Sequence, residues 1–298
     1  MITEASVKKF GRLISGLTGL RIREEDTEKL RTILMERMKC LEVASPEAYF
    51  PFLGFETDKG LTEWEALLPL ILNGETYFFR DKGQWALLEE TILPELIQRR
   101  TAQRSIRIWS AGCSTGEEAY SLAMAVDQLL PFPRNWKVYI LGTDINRRAI
   151  EHAKQGSYRQ WAFRMVKSDL QNKYFLDRKK SWVLKDHIRS MVTFHPGNLF
   201  KDDFSAPMSG IYDMDLILCR NVFLYFEPDA IAQVMKKMTG VLTRGGCLMT
   251  GHNELPSEAL GQLQIRNFRT GVMYQLPEKP QPPGVSVTPG LLKQSSVS

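Results

Sequence analysis

The sequence has no long hydrophobic run. No window reaches the roughly 18 consecutive apolar residues that a transmembrane helix needs. The first residues, MITEASVKKFGRLISGL, also lack a basic and then apolar signal peptide with a cleavage site. We therefore expect a cytoplasmic protein without membrane insertion.

Cysteine and histidine are scarce and scattered. The four cysteines form no CxxC pair, and the four histidines are dispersed along the chain. Disulfide frameworks and zinc sites both need such residues at close, repeated spacings. The sequence therefore predicts neither a disulfide framework nor a metal site. The cysteines are Cys40, Cys113, Cys219 and Cys247.

A strong charge of one sign is also missing. The 39 Lys and Arg against 34 Asp and Glu leave a net charge of +5, which does not by itself indicate nucleic-acid binding. The sequence does have enough apolar side chains to form a hydrophobic core. Of its residues, 43% are hydrophobic, including six Trp, nine Tyr and fifteen Phe. A chain of 298 residues with this composition predicts a folded large domain plus a smaller one, and excludes disorder as its main state.

Residues 1–68 are predicted to form a helical N-terminal domain. Apolar residues between Thr27 and Leu41 recur at the spacing of an amphipathic helix. A second helix is predicted to begin at Ser45-Pro46-Glu47, and a third passes through Trp64 and Leu68. Basic side chains on the first of these helices form either a docking face or an ordinary solvated face. They are Lys29, Arg31, Arg37 and Lys39.

From about residue 104, short strands alternate with helices. This rhythm predicts an α/β fold with a parallel sheet and right-handed crossovers. Such sheets hold ligands at the carboxyl ends of their strands, near the point where the strand order reverses. The predicted strands are 105–109, 136–141, 191–195, 214–219 and 247–250, and the predicted helices are 116–130, 146–155 and 228–240.

Two stretches depart from this rhythm. Residues 154–190 hold ten Lys and Arg against three Asp, together with six aromatic side chains, and are predicted to form an inserted subdomain. Residues 277–298 are rich in Pro and predict a flexible tail. The ligand-binding domain built on the predicted sheet is then expected to span residues 69–276.

The most informative segment is the turn Trp109–Ser121, WSAGCSTGEEAYS. It has neither the GxGxxG spacing of dinucleotide sites nor the Gly-Lys-Ser/Thr of a P-loop. Glu117 and Glu118 instead occupy the helix N-terminus, where an anion would otherwise bind. This favours a neutral or cationic ligand such as S-adenosylmethionine. The alternative is that the two acidic residues only complement the helix dipole.

Asp144 follows the second predicted strand. A carboxylate at this place suits hydrogen bonds from both hydroxyls of a ribose. The alternative role is the cap of the next helix.

Five motifs occur together and in order along the chain. The combination resembles the chemotaxis receptor glutamate O-methyltransferase (CheR) family over nearly the whole chain, to about residue 276. The motifs are Glu75-Thr76-Tyr77-Phe78-Phe79-Arg80-Asp81, WSAGCSTGEEAYSLAM, Gly142-Thr143-Asp144-Ile145, Cys219-Arg220-Asn221-Val222 and Gly251-His252-Asn253-Glu254.

The resemblance implies a fold and an activity. The fold is a Rossmann-like S-adenosylmethionine-dependent methyltransferase sheet with a small helical N-terminal domain and an inserted β-subdomain. The activity is methyl transfer from S-adenosylmethionine to glutamates of chemoreceptor cytoplasmic helices, with S-adenosylhomocysteine as product. Some family members also bind a receptor's C-terminal peptide by strand addition to the inserted subdomain.

The resemblance also assigns a cofactor site. Glu117 is expected near the ammonium of the methionine moiety, Asp144 at the ribose, and Asn198 with Leu199 beside the adenine. Gly74 replaces the Asn of many members, so only its backbone is expected to contribute. The expected cofactor-binding residues are Gly74, Thr76, Arg80, Gly112, Glu117, Asp144, Asn198, Leu199, Asn221 and Val222.

The chemistry needs few catalytic groups. A glutamate carboxylate, with a pKa near about 4.3, is already ionised at neutral pH and needs no general base. Arg80 is predicted to orient this carboxylate, and Tyr225 to place its hydroxyl beside it. The alternatives are that Arg80 pairs with a nearby carboxylate and that Tyr225 is a core aromatic residue.

Two other functions compete with this hypothesis. The first is methyl transfer to RNA or a small molecule, for which the basic 154–190 segment would suit a phosphate backbone. Against it, the segment Arg220-Asn221-Val222-Phe223 differs from the Asn/Asp-Pro-Pro-aromatic sequence of many amino-methylating enzymes. The second is a non-catalytic, cofactor-sensing receptor adaptor, and the presence of Arg80 and Asp144 argues against it. We expect no nucleic-acid partner.

Overall fold

The structure is a computed structural model that describes residues 2–54, 56–72, 74–206 and 209–278. Asn73 and nearly all of the predicted Pro-rich tail lie outside the described residues. No helix in these ranges is long and apolar enough to cross a membrane.

The described part of residues 2–72 forms four α-helices. They are α1 (Glu4–Thr18), α2 (Thr27–Cys40), α3 (Pro46–Tyr49) and α4 (Asp58–Ile71). Side-chain oxygens of Thr3, Ser45 and Thr57 accept backbone N–H bonds at the starts of α1, α3 and α4, as expected of these N-cap residues. Helices α2, α3 and α4 were predicted from the sequence, whereas α1 was not predicted individually.

A buried carboxylate joins α2 to α4. Glu63 is 1% exposed and accepts two hydrogen bonds from Arg37, from Nε at 2.8 Å and from Nη2 at 2.7 Å. The Tyr49 hydroxyl donates a third, at 2.6 Å. Arg37 is therefore held inside the helical region and does not belong to a free docking face.

The four helices share an apolar cluster with one face of the sheet. Phe10, Leu34 and Trp64 belong to the same buried cluster as Trp109 and Ile217. The division of the chain at residue 68 therefore stays a prediction.

A helical segment links α4 to the first strand. It consists of α5 (Lys82–Leu87), a π-helical turn (Leu88–Ile92) and α6 (Leu93–Arg99). This segment was not predicted, although it carries Gln84 and Trp85 into the interior.

Strands and helices then alternate along the described chain. The strands are β1 (Ser105–Ala111), β2 (Lys137–Asp144), β3 (Ser157–Tyr158), β4 (Phe175–Asp177), β5 (Trp182–Leu184), β6 (Val192–Pro196), β7 (Met214–Cys219), β8 (Leu242–Thr250), β9 (Gln264–Phe268) and β10 (Gly271–Gln275). The helices are α7 (Glu117–Leu129), α8 (Arg147–Gln155), α9 (Ser168–Tyr174), α10 (Asp186–Arg189) and α11 (Pro228–Val241).

Seven of these strands form the main sheet, in the order β6-β2-β1-β7-β8-β10-β9. The first five are parallel, and β10 and β9 form an antiparallel hairpin at the edge. The α/β class predicted from the sequence is confirmed, while the antiparallel hairpin makes the sheet mixed. The strand order reverses between β1 and β7, so the loops that follow these strands lie side by side.

The predicted insertion contains a second sheet. Between α8 and β6, the strands β3, β5 and β4 form an antiparallel sheet in the order β3-β5-β4. Aromatic side chains pack this sheet against the Phe78 region, with Phe78 5.0 Å from Phe163 and 5.1 Å from Phe175 between ring centroids.

Candidate active site

A cavity of about 280 Å³ lies at the carboxyl ends of the central strands. Its walls come from the loops after β1, β2, β6 and β7, and from the segment that precedes α5. This is the place where the strand order reverses, which is where open α/β sheets bind ligands.

Almost all predicted site residues line this one cavity. The exception is Glu117. The residues that the structure brings together are Gly74, Thr76, Arg80, Gly112, Asp144, Asn198, Leu199, Asn221, Val222 and Tyr225. Their individual roles stay predictions.

The acidic residue in the cavity wall is Glu118 and not Glu117. Glu117 is 4% exposed, and its Oε2 accepts a bond of 2.6 Å from the Thr115 hydroxyl. Burial raises the pKa of Glu117 to about 7. Glu118 lines the cavity and accepts from Ser110 Oγ at 2.8 Å and from Arg220 Nη1 at 3.1 Å. Adjacent residues point about 100° apart on a helix, so the sequence alone did not separate the two.

The turn after β1 depends on a glycine. Gly112 has φ +75°, in the left-handed region that favours glycine. The N–H groups of Gly112 and Cys113 both donate to the Thr143 carbonyl, at 2.8 and 2.9 Å. A Cβ at position 112 would lie 2.4 Å from Cγ2 of Val222. The loops after β1 and β7 therefore touch where the glycine has no side chain.

Asp144 is held at the end of β2. Its two carboxylate oxygens accept from the N–H groups of Ser114 and Asn146, each at 2.8 Å. Burial raises the pKa of Asp144, while these two N–H bonds act in the opposite direction. The cap of α8 is Asn146, whose Oδ1 accepts from Ala149 N at 3.2 Å. The alternative role of Asp144 as the helix cap is therefore wrong.

Asn198 and Leu199 follow β6. Asn198 Nδ2 donates to the Leu17 carbonyl at 2.9 Å, and its Oδ1 accepts from Phe200 N at 3.0 Å. The Asn198 side chain thus connects α1 to the cavity wall.

Gly74 contributes its backbone to the cavity wall. Its carbonyl accepts a hydrogen bond from Ser114 Oγ at 3.3 Å.

Arg220 is a site residue that the sequence analysis did not assign. Its side chain is 2% exposed, and it lines the cavity directly after β7. It donates to Gln84 Oε1 at 2.6 Å, to Glu118 Oε2 at 3.1 Å and to the Arg80 carbonyl. The signal in the sequence was a charged residue placed between a fully buried strand and Asn221.

Arg80 and Tyr225 also line the cavity. Arg80 Nη1 donates to the Glu75 carbonyl at 2.7 Å. Tyr225 ends the short helical turn Phe223–Tyr225 and is half-buried. Tyr225 also packs against the apolar cluster of the N-terminal helices, so its ring belongs both to the cavity wall and to the core.

The cavity wall carries charged side chains of both signs. Glu118 and Asp144 supply carboxylates for ammonium, sulfonium or hydroxyl groups, while Arg80 and Arg220 bring guanidinium groups. Trp85 also lines the cavity, and its buried Nε1 has no hydrogen-bond partner among the described residues. The carboxylates suit the ammonium and ribose hydroxyl groups of S-adenosylmethionine, and the guanidinium groups suit its carboxylate. The indole N–H is a further donor for a polar atom of the ligand.

Comparison with known proteins supports this assignment. The family described as "CheR methyltransferase, SAM binding domain" matches residues 74–272, well over half of the chain.

Among the described residues, no group of three or more His, Cys, Asp and Glu is placed to hold a metal ion.

Relatives of known name cover most of the chain. Chemotaxis protein methyltransferase 2 of Vibrio cholerae is 29% identical over 94% of this chain and 95% of its own length. The chemotaxis protein methyltransferase of Borreliella burgdorferi is 30% identical over 85% of this chain and 89% of its own length. Chemotaxis protein methyltransferase 1 of Pseudomonas aeruginosa is 32% identical over 71% of this chain and 77% of its own length. The chain therefore belongs to the CheR family of S-adenosylmethionine-dependent methyltransferases, as the sequence motifs predicted.

Proposed function

We propose that this chain transfers the methyl group of S-adenosylmethionine to glutamate side chains of chemoreceptors, forming methyl esters in chemosensory adaptation. The observation that carries the proposal is the convergence of Arg80, Tyr225, Asp144 and Glu118 on one cavity at the strand reversal. When bound, S-adenosylmethionine supplies an electrophilic methyl group on its sulfonium, and S-adenosylhomocysteine is released.

The cofactor would be held by residues at the start of α7, at the end of β2 and in the loops after β1 and β6. Glu118 receives the ammonium group in place of Glu117, because only Glu118 lines the cavity. Asp144 accepts from the ribose hydroxyls, since each of its oxygens keeps acceptor capacity beyond its one N–H bond. Leu199 supplies an apolar surface beside the adenine. Because Gly112 has no side chain, the backbone of the turn after β1 can approach the cofactor closely.

The acceptor needs positioning and not activation. Its carboxylate is ionised at neutral pH, so no residue must remove a proton. Arg80 orients this carboxylate, and Arg220 fixes the backbone of Arg80 through its carbonyl. The Tyr225 hydroxyl confines the same carboxylate from the other side. Positioning of this kind contributes on the order of 7–11 kcal/mol to a methyl transfer.

A groove beside the cavity gives the acceptor a route. It has a volume of about 500 Å³ and shares Leu20, Pro69, Leu72 and Tyr225 with the cavity. Apolar residues at its rim include Leu70 and Leu224, which are 37% and 45% exposed. Its basic residues are Arg21, Arg23 and Lys29.

We propose that an acidic amphipathic helix of the receptor lies in this groove. Its apolar side would contact the exposed leucines, and its carboxylates would face the basic rim. A glutamate that points inward from the helix then reaches Tyr225, where groove and cavity meet. Among the basic residues of α2 that were considered for docking, Lys29 is the one that lines this groove, and we assign the docking role to it.

The inserted sheet offers a second contact. β4 is one of its two edge strands, and Leu176 on that strand is 42% exposed. An edge strand can pair with an extended peptide through backbone hydrogen bonds. We propose this edge as the place for a receptor's C-terminal peptide.

The proposed function is tested with methyl-labelled S-adenosylmethionine. The chain is incubated separately with a receptor cytoplasmic fragment and with total RNA. The proposal expects label in the receptor, released as methanol by mild alkali because methyl esters hydrolyse readily. Receptor variants with Gln at the accepting positions should stay unlabelled. Label in RNA alone, or alkali-stable label in protein, would contradict the proposal.

A further inference from the structure

The closing motif Gly251–Glu254 has no role in the mechanism above, yet it holds a buried carboxyl group. Glu254 is 8% exposed and follows β8. Its Oε2 accepts from the Gly251 N–H at 3.0 Å, while its Oε1 has no hydrogen-bond partner among the described residues. A Cβ at Gly251 would lie 2.6 Å from that Oε1, so the backbone and the carboxyl group are in close contact.

The carboxyl group lies behind the turn that follows β7. The backbone N–H groups of Val222 and Asn221 interact with Glu254 and favour its ionised form. Asn221 has φ +58°, in the left-handed region that asparagine adopts more readily than most residues with a side chain. Cys219 pairs with Thr250 at the ends of β7 and β8, so the loop that holds Glu254 lies beside this turn.

The same turn carries three residues of the cavity wall. Asn221 and Val222 line the cavity, and Val222 packs against Gly112. The Val222 carbonyl accepts from the Tyr225 N–H at 3.1 Å, which continues the turn into the short helix with Tyr225. A displacement of Asn221 and Val222 would therefore move Tyr225 as well.

We propose that Glu254 is a positioning residue for cofactor binding, which anchors the turn at Asn221 and Val222 from behind and so sets the cavity wall. The proposal rests on the use of S-adenosylmethionine by the family and not on the identity of the methyl acceptor. An ionised carboxylate accepts N–H bonds more strongly than a protonated one. The ionised form therefore holds the turn better.

This role links cofactor affinity to pH. Burial raises the pKa of Glu254 to about 7, against the effects of the backbone N–H groups and of Arg220. Cys219 and Tyr274 also interact electrostatically with Glu254. If the ionised form anchors the wall, affinity rises with pH through about 7, and binding releases a proton from Glu254.

The test is calorimetric titration with S-adenosylhomocysteine at pH 6, 7 and 8. Wild-type protein should bind up to about tenfold more tightly at pH 8 than at pH 6, the ratio expected when binding requires one ionised group with a pKa in between. E254Q should bind about tenfold more weakly at pH 8 and show a smaller pH dependence. E258Q changes an exposed Glu four residues away and should follow the wild type. A wild-type affinity and pH profile in E254Q would overturn the proposal.

A second measurement covers the case in which E254Q does not fold. Titrations at pH 7 in two buffers of different ionisation enthalpy give the number of protons released on binding. They are made on wild-type protein and on E117Q, because burial also raises the pKa of Glu117 to about 7. A release of about half a proton that persists in E117Q supports the role of Glu254. Absence of any release in both proteins contradicts it.

Discussion

Replacement of Gly112 by alanine tests the contact between the loops after β1 and β7. Alanine at φ +75° enters the left-handed region, which for a residue with a side chain costs about 1–2 kcal/mol. The new Cβ would also lie 2.4 Å from Cγ2 of Val222, a branched side chain with few alternative rotamers. We expect Gly112→Ala to lower the free energy of unfolding by about 1–3 kcal/mol.

The same substitution should weaken cofactor binding, because Val222 lines the cavity. We expect S-adenosylhomocysteine to bind at least about tenfold more weakly, a loss of about 1.4 kcal/mol. Urea denaturation gives the stability change, and calorimetry of the folded protein gives the affinity.

Gly16→Ala is the matched control. Gly16 lies in α1, and a Cβ there would meet no atom within 4 Å. This substitution should raise stability by about 0.5–1 kcal/mol and leave affinity unchanged, because alanine favours the helix. If Gly112→Ala is as stable as wild type and binds S-adenosylhomocysteine with wild-type affinity, the close contact at Gly112 and Val222 is refuted.

Three further predictions follow from single residues. Arg80→Ala should stay folded but lose methyl transfer by about 100-fold or more, and an unchanged turnover number would remove Arg80 from the mechanism. Glu63→Gln should lower the free energy of unfolding by about 3 kcal/mol, because it leaves Arg37 without its buried partner, and a urea midpoint equal to wild type would argue against the pair. Since burial raises the pKa of Glu117 and of Glu254 to about 7, the folded state holds their protons more tightly than the unfolded chain. Their stabilising contribution is therefore present at low pH and is lost as the pH rises to about 7, so the loss of stability between pH 5 and 7.5 should be smaller in E117Q than in wild type.

The parallel strands were predictable because their buried faces leave a clear pattern. β7 was predicted as Met214–Cys219, and the structure gives the same bounds, with all six residues buried. β8 was predicted to begin at Cys247 but begins at Leu242. The predicted start placed Gly245 and Gly246 before the strand, whereas in the structure both glycines lie within it, where its pairing with β7 shifts register.

Other elements gave weaker signals. The hairpin of β9 and β10 lies at the edge of the sheet, and its half-exposed residues lack the apolar run of a central strand. The segment from α5 to α6 includes Pro94 and a π-helical turn, which interrupt the regular helical spacing.

The sequence motifs identified residues that line one cavity, but they did not predict the contacts between these residues. The choice between Glu117 and Glu118 depends on the rotation of α7 relative to the sheet. The role of Arg220 depends on Gln84 and Arg80, which lie 136 and 140 residues away in the sequence. Such contacts follow from the tertiary fold and leave no local pattern.

The most direct test of the account is a crystal structure of the chain with S-adenosylhomocysteine. We expect the ligand in the cavity that Gly112 and Val222 line, with its ribose hydroxyls on Asp144 and its amino group on Glu118. Ligand bound at another place, or with its amino group on Glu117, would contradict it.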